Sequence, residues 1–110
     1  MQNNHYALPV EVALEVLGGK WKMIILCHLR DTIKRTSELK KVIPGISYRM
    51  LTQQLKELEE DGVVVRKSYN QIPPKVEYYL SDYGKTLRKI LDSLDQWGEM
   101  HIEKCSKEHE

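Results

Sequence analysis

Tyr48, Arg49, Thr52, Gln53 and Lys56 recur at intervals of three and four within GISYRMLTQQLKELEEDG, the stretch from Gly45 to Gly62. In a helix this spacing gathers them away from Leu51, Leu55 and Leu58, which stack on the opposite face. The polar residue types have defined uses at the edge of a nucleic acid base. Arg donates two bonds to guanine, Gln pairs with adenine through both amide atoms, and Thr touches a thymine methyl. Acids would repel phosphate, and here they are held back until Glu57, Glu59, Glu60 and Asp61. Acids near a helix C-terminus oppose the helix dipole at a small cost. An amphipathic surface helix with no ligand would show the same leucine spacing, but it leaves that order of charge unexplained.

Other residues could hold a phosphate backbone beside these base readers. Ser47 and the N–H groups of the first turn can bind an anion, and Lys56 supplies a charge farther along. Arg35, Thr36 and Ser37 open the preceding helical pattern. Arg66, Lys67 and Lys75 flank the hairpin loop SYNQIPP. Each group also has a plainer use, as a helix cap or as a solvated hairpin.

The charge layout agrees with a polyanion partner. The net charge of the 110 residues is only +1, yet residues 20–49 hold eight Lys or Arg against Asp31 and Glu38. The ends are acidic. A near-neutral total thus conceals a basic middle. The chain shows no Gly-rich phosphate loop, since GGK at 18–20 lacks the spacing. It also shows no nucleophile motif and no carboxylate pair, so neither an enzyme nor a cofactor is expected. His101, Cys105 and His109 are spaced four apart and could share a helix face. They lack an evident fourth ligand and sit in a terminal segment beside Lys104 and Lys107, so no metal is expected. Cys27 lies in an apolar stretch and reads as a small hydrophobe. Two cysteines make no disulfide framework. No apolar run is long enough to span a membrane, and Met1–Leu8 lacks the pattern of a signal peptide, so the cytoplasm is expected.

The elements that would position these residues follow in order. Pro9 opens a helix over 9–17. KWKMIILCHL is apolar nearly all round and predicts a buried central helix, with Trp21 as a core anchor. Ile33 falls in a short edge strand. Thr36 or Ser37 caps the next helix, whose inner side is Leu39, Val42 and Ile43. Pro44-Gly45 makes a tight turn, and Ser47 caps the helix over 47–60. Strands over 63–69 and 75–81 enclose the loop NQIPP. Ser81 or Asp82 caps a long final helix over 84–104, and the terminal SKEHE is expected to fray. This order predicts one α+β, mostly α domain over 1–110. Its fold would be a winged helix-turn-helix with a β-hairpin wing and N- and C-terminal dimerisation helices. Val10, Leu14, Leu87, Ile90, Leu91, Leu94 and Trp97 offer more apolar surface than so small a domain can cover. They are expected at a homodimer interface that sets two recognition helices about one DNA turn apart on a palindrome-like site.

The segments LPVEVALEVLGGKWKMIIL, RTSELKKVIPGISYRMLTQQLKELEEDGVVVR, PPKVEYYLSDYGKTL and WGE together resemble the HxlR-type bacterial transcription regulators, a branch near the MarR-like winged helices. The resemblance spans residues 9–99. It implies a dimeric regulator of double-stranded DNA, with recognition through 47–60, a wing near 66–75, and dimer contacts through 9–17 and 84–104. Many members sense oxidants or electrophiles through a cysteine just before the proline of the first helix. Leu8 stands there in this chain, so that route is absent. Thr36 stands where an aromatic residue is common, which alters packing at the start of that helix. The reading is a homodimeric, sequence-specific transcription regulator, with no feature that names an effector. Two alternatives remain open: a winged protein-interaction module without specific DNA binding, and a thiol- or metal-responsive sensor using His101, Cys105 or Cys27.

Overall fold

The structure, a computed structural model, describes residues 7–108. Helix α1 spans Pro9–Leu17 and α2 spans Lys22–His28, followed by the short strand β1, Lys34–Arg35. Helices α3, Thr36–Val42, and α4, Tyr48–Glu60, form the helix-turn-helix. Strands β2, Val64–Tyr69, and β3, Lys75–Leu80, make the hairpin. A single 3₁₀ turn, Gly84–Leu87, leads into α5, Arg88–Glu108. The antiparallel sheet has the order β1-β3-β2, with Lys34 opposite Tyr78 and Val64 opposite Leu80. This is a mostly helical α+β winged helix.

One hydrophobic cluster joins the elements. Ile25 and Leu26 of α2 and Leu29 at its end meet Leu39, Ile43 and Ile46 of the α3 region, Leu51, Leu55 and Leu58 of α4, and Val63, Val64 and Leu80 at the hairpin. The leucine spacing of α4 places all three side chains fully inside, and the outer face follows from that. The turn before α4 needs Gly45, whose φ of +84° suits a residue without a side chain. Ser47 then caps α4, its Oγ accepting the Met50 N–H at 3.0 Å. Behind the helix, the Ser81 hydroxyl donates to the Gly62 carbonyl at 2.6 Å, with the Val63 carbonyl close by at 3.1 Å, and accepts from the Gly84 N–H. Gly84 must be bare, because a Cβ there would lie 2.0 Å from the Val63 carbonyl oxygen.

Several elements differ from the sequence expectation. Helix α2 is not buried nearly all round: Ile24 is exposed, whereas Lys22 is only 7% exposed. Ile33 lies one residue ahead of β1 and is exposed. Val42 is also exposed rather than on the inner side of α3. Neither Thr36 nor Ser37 caps α3. Arg35 holds the cap position, and its N–H donates to the Glu38 carboxylate at 2.7 Å. Ser106–Glu108 stay helical, so the end frays later than expected; His109 and Glu110 lie outside the described residues.

The root of α5 is fastened to α2. Arg30 pairs with Asp92 at 2.9 Å and Asp95 at 2.7 Å, and Arg88 Nε donates to the Arg30 carbonyl at 2.8 Å. Leu91 is 1% exposed and Leu87 is half-buried against the same core. Both were expected at a dimer contact. Leu91 is instead sealed within its own chain, because at that point α5 still runs along the domain. Beyond it the helix projects, and the radius of gyration of 16.1 Å exceeds the roughly 13 Å of a compact chain this long.

Leu55→Ala should cost about 2–5 kcal/mol, since it empties a fully enclosed site. Ser47→Ala should cost about 1 kcal/mol through loss of the cap. Urea unfolding of each variant measures both.

Candidate DNA-binding surface

The leucine anchors of α4 turn Tyr48, Arg49, Thr52, Gln53 and Lys56 to solvent, where they line one open hollow. All five are exposed. Ser47 sits at the N-terminal edge of this row. Its hydroxyl accepts from Met50 and keeps its own hydrogen as a donor. Lys40 of α3 lies over the Tyr48 ring, 5.6 Å from its centroid, which ties the two helices at the outer edge.

The preceding helix and the wing flank this row. Arg35 and Ser37 are exposed at the start of α3, while Thr36 is half-buried in its first turn. Arg66 and Lys67 are exposed on β2, with the Lys67 ammonium 5.1 Å from the Tyr69 ring centroid. Lys75 is more committed than its sequence position suggested. Its ammonium lies 4.6 Å from the Tyr69 centroid and 3.5 Å from a Glu77 oxygen. Glu77 also accepts from the Tyr69 hydroxyl at 2.8 Å. That bond first, and then the nearby charges of Lys75 and Arg35, hold its carboxyl below the ordinary range.

Ion pairing is uneven over the protein. Among the described residues, Arg35, Lys40, Lys41, Arg49, Lys56, Arg66 and Lys67 make no ion pair. Arg30, Lys85, Arg88, Lys104 and Lys107, at α5 and its root, do, and Lys89 is the unpaired cation of that region. The helix-turn-helix and wing therefore carry uncompensated positive charge.

One ion pair does lie beneath the row, and sequence reasoning missed it. Lys22 Nζ lies 2.7 Å from Glu57 Oε1, and Glu57 Oε2 accepts from Gln53 Nε2 at 2.7 Å. The Lys22 ammonium, and then the Gln53 amide, hold the Glu57 carboxyl below its ordinary value. A signal was present in the sequence. Lys22 precedes Ile25, Leu26 and Leu29 by three, four and seven residues, which puts it on the buried side of α2. Glu57 is thus no mere surface acid at the departing end of α4; it is tied to the base of the domain.

A second exposed surface is apolar. Val10 and Leu14 of α1, and Ile90, Leu94, Trp97 and Met100 of α5, stand in solvent, with Trp97 61% exposed. His101 stacks on Trp97 with a 5.2 Å centroid separation, and its Nε2 lies 3.6 Å from Cys105 Sγ. No group of three metal-ligating side chains occurs among the described residues, and His109 lies outside them. Cys27 is half-buried; burial first, and then Asp95, pushes its thiol up. No helix among the described residues is long and apolar enough to cross a membrane.

A core-anchored second helix, a tight turn before it, a hairpin behind it and an unpaired cationic face define a winged helix-turn-helix DNA-binding transcription regulator. Residues 16–106 match the HxlR-like helix-turn-helix family, and the chain belongs to that family. It is 60% identical over 102 residues to YtcD of Bacillus subtilis (strain 168), an uncharacterised HTH-type transcriptional regulator; the match covers 93% of this chain and 81% of that one. The reduced form of the redox regulator HypR superposes with a TM-score of 0.85 at 47% identity, over 91% of this chain and 99% of that one. A MarR-family regulator from Porphyromonas gingivalis W83 gives a TM-score of 0.82 at 34% identity, covering 90% and 97% of the two chains. These relatives are transcription regulators, not enzymes.

The depressed carboxyl of Glu57 sets a pH dependence. Its pairing stabilises the fold above the usual carboxylate range and is lost as pH falls through the folded value, below 4.5. Glu57→Gln should therefore lower the melting temperature at pH 7, leaving Lys22 buried without a counter-ion. The gap to wild type should narrow steadily in acid, as followed by thermal melts across pH.

Proposed function

We propose that the protein acts in the cytoplasm as a homodimer, one winged domain per chain, that binds a palindrome-like DNA operator sequence-specifically. The observation that supports this best is the concentration of unpaired cations on α3, α4 and the wing, where seven of them lie on one exposed side of the domain. A solvated surface with no polyanion to meet would have no need to gather so many unpaired cations on one side. In this reading α4 enters the major groove and Tyr48, Arg49, Thr52 and Gln53 read base edges. Ser47, Lys56, Arg35, Thr36, Ser37, Arg66 and Lys67 hold the backbone, with Lys75 a weaker contributor because Glu77 already meets its charge. The apolar faces of α1 and α5 support the dimer. Val10, Leu14, Ile90, Leu94 and Trp97 form its contact, while Leu87 and Leu91 stiffen the root of α5 from within.

Arg49→Ala should weaken binding to a selected operator by about 1–3 kcal/mol and relax preference at one base pair. Lys67→Ala should weaken all sequences alike and reduce the salt slope by about one. Fluorescence anisotropy over a salt series, with operators drawn from a randomised DNA pool, separates the two effects. Binding unchanged in both variants would refute these roles. Leu94→Asp combined with Trp97→Asp should shift the protein to monomer in sedimentation equilibrium, without loss of helical content.

A further inference from the structure

We infer that Glu57 is a positioning residue for DNA specificity: held by Lys22, it fixes which way the Gln53 amide faces and so tunes that side chain to adenine. The inference rests on the reading of Gln53 as a base contact. It follows from donor and acceptor inventories. An ionised carboxylate only accepts hydrogen bonds. The Gln53 group 2.7 Å from Glu57 Oε2 must therefore be the Nε2 amino group, and the carbonyl oxygen cannot take its place. Glu57 cannot swing away freely, because its other oxygen is 2.7 Å from the ammonium of Lys22, itself enclosed at the base of α2.

The consequence lies on the outer side of the amide. With one Nε2 hydrogen committed to Glu57, Gln53 has one donor and one acceptor left to offer. Adenine presents a matching pair, the N7 acceptor beside the N6 amino donor. Guanine presents two acceptors, N7 and O6, so the Gln53 carbonyl would face an oxygen. An amide free to turn could rearrange to lessen that clash; one held by Glu57 cannot. Lys22 and Glu57 would thus act on base choice without touching DNA. The same acid that must stay out of the groove is placed one turn beyond Gln53, on its inner flank, with its charge met by Lys22.

The test compares wild type, Gln53→Ala, and the double variant Lys22→Met with Glu57→Met, by sequencing DNA selected from a randomised pool. The double variant removes both charges together, so no buried ion is left unpaired. Gln53→Ala should flatten preference at one base pair where wild type selects adenine. At that same base pair, the double variant should lose roughly tenfold of the adenine-over-guanine preference, with the loss confined there. Full retention of that preference would overturn the inference, as would an equal loss at every position, which would mark a purely structural pair. If Gln53→Ala alters no base preference, the assignment of Gln53 as a base reader falls first, and this inference with it. A measurement on the unmodified protein guards against a variant that fails to fold. The side-chain amide signals of Gln53 in ¹⁵N NMR should move as Glu57 is titrated in acid. An amide blind to that titration would also overturn the inference.

Discussion

The leucines at 51, 55 and 58 cannot leave the core, and this constraint governs the rest of the molecule. Each is fully enclosed, so the rotation of α4 about its axis is set. Rotation in turn decides which residues meet solvent. The turn at Gly45, the cap at Ser47 and the hairpin behind Ser81 all serve to hold α4 at its two ends. A helix gripped along one side and at both termini can present side chains at fixed positions, as base recognition requires.

Electrostatics then work around that frame. Positive charge is left unmet on the face away from the leucines, while the far end of the protein matches nearly every cation to an acid. Two acids among these cations explain local structure. Glu77 sits in the wing, where it organises Tyr69 and Lys75 between the strands. Glu57 sits under α4, where Lys22 meets it from below. Both acids have their charge taken up by the protein itself, so neither opposes the field of the cationic face as a lone surface acid would.

Much of this was legible in the sequence because periodicity reports burial directly. The leucines of α4, the turn at Pro44-Gly45, the Ser47 cap and both hairpin strands follow from spacing and turn chemistry alone. Four features were missed, and each depends on a side-chain contact or a packing that residue spacing alone does not report. Leu91 has the spacing of an exposed stripe, but Arg30 draws the root of α5 onto α2 and buries it. Arg35 takes the cap position of α3 because β1 pairs with β3 up to that residue. Lys75 looked free until Glu77 and Tyr69 were placed beside it. Lys22 carried a readable signal, yet a charge in an apolar run suggests a boundary before it suggests a buried partner thirty-five residues away.

The anchoring of α5 at one end only has a mechanical meaning. Past Asp95, about 20 Å of helix extends from a root clamped by Arg30. Such a rod converts angle into distance: a tilt of about 10° at the root moves its tip by about 3 Å. In a dimer joined through these rods, whatever wedges between them would change the separation of the two α4 helices while leaving each domain internally intact. Operator spacing, rather than the shape of either reading head, would then be the quantity an effector adjusts.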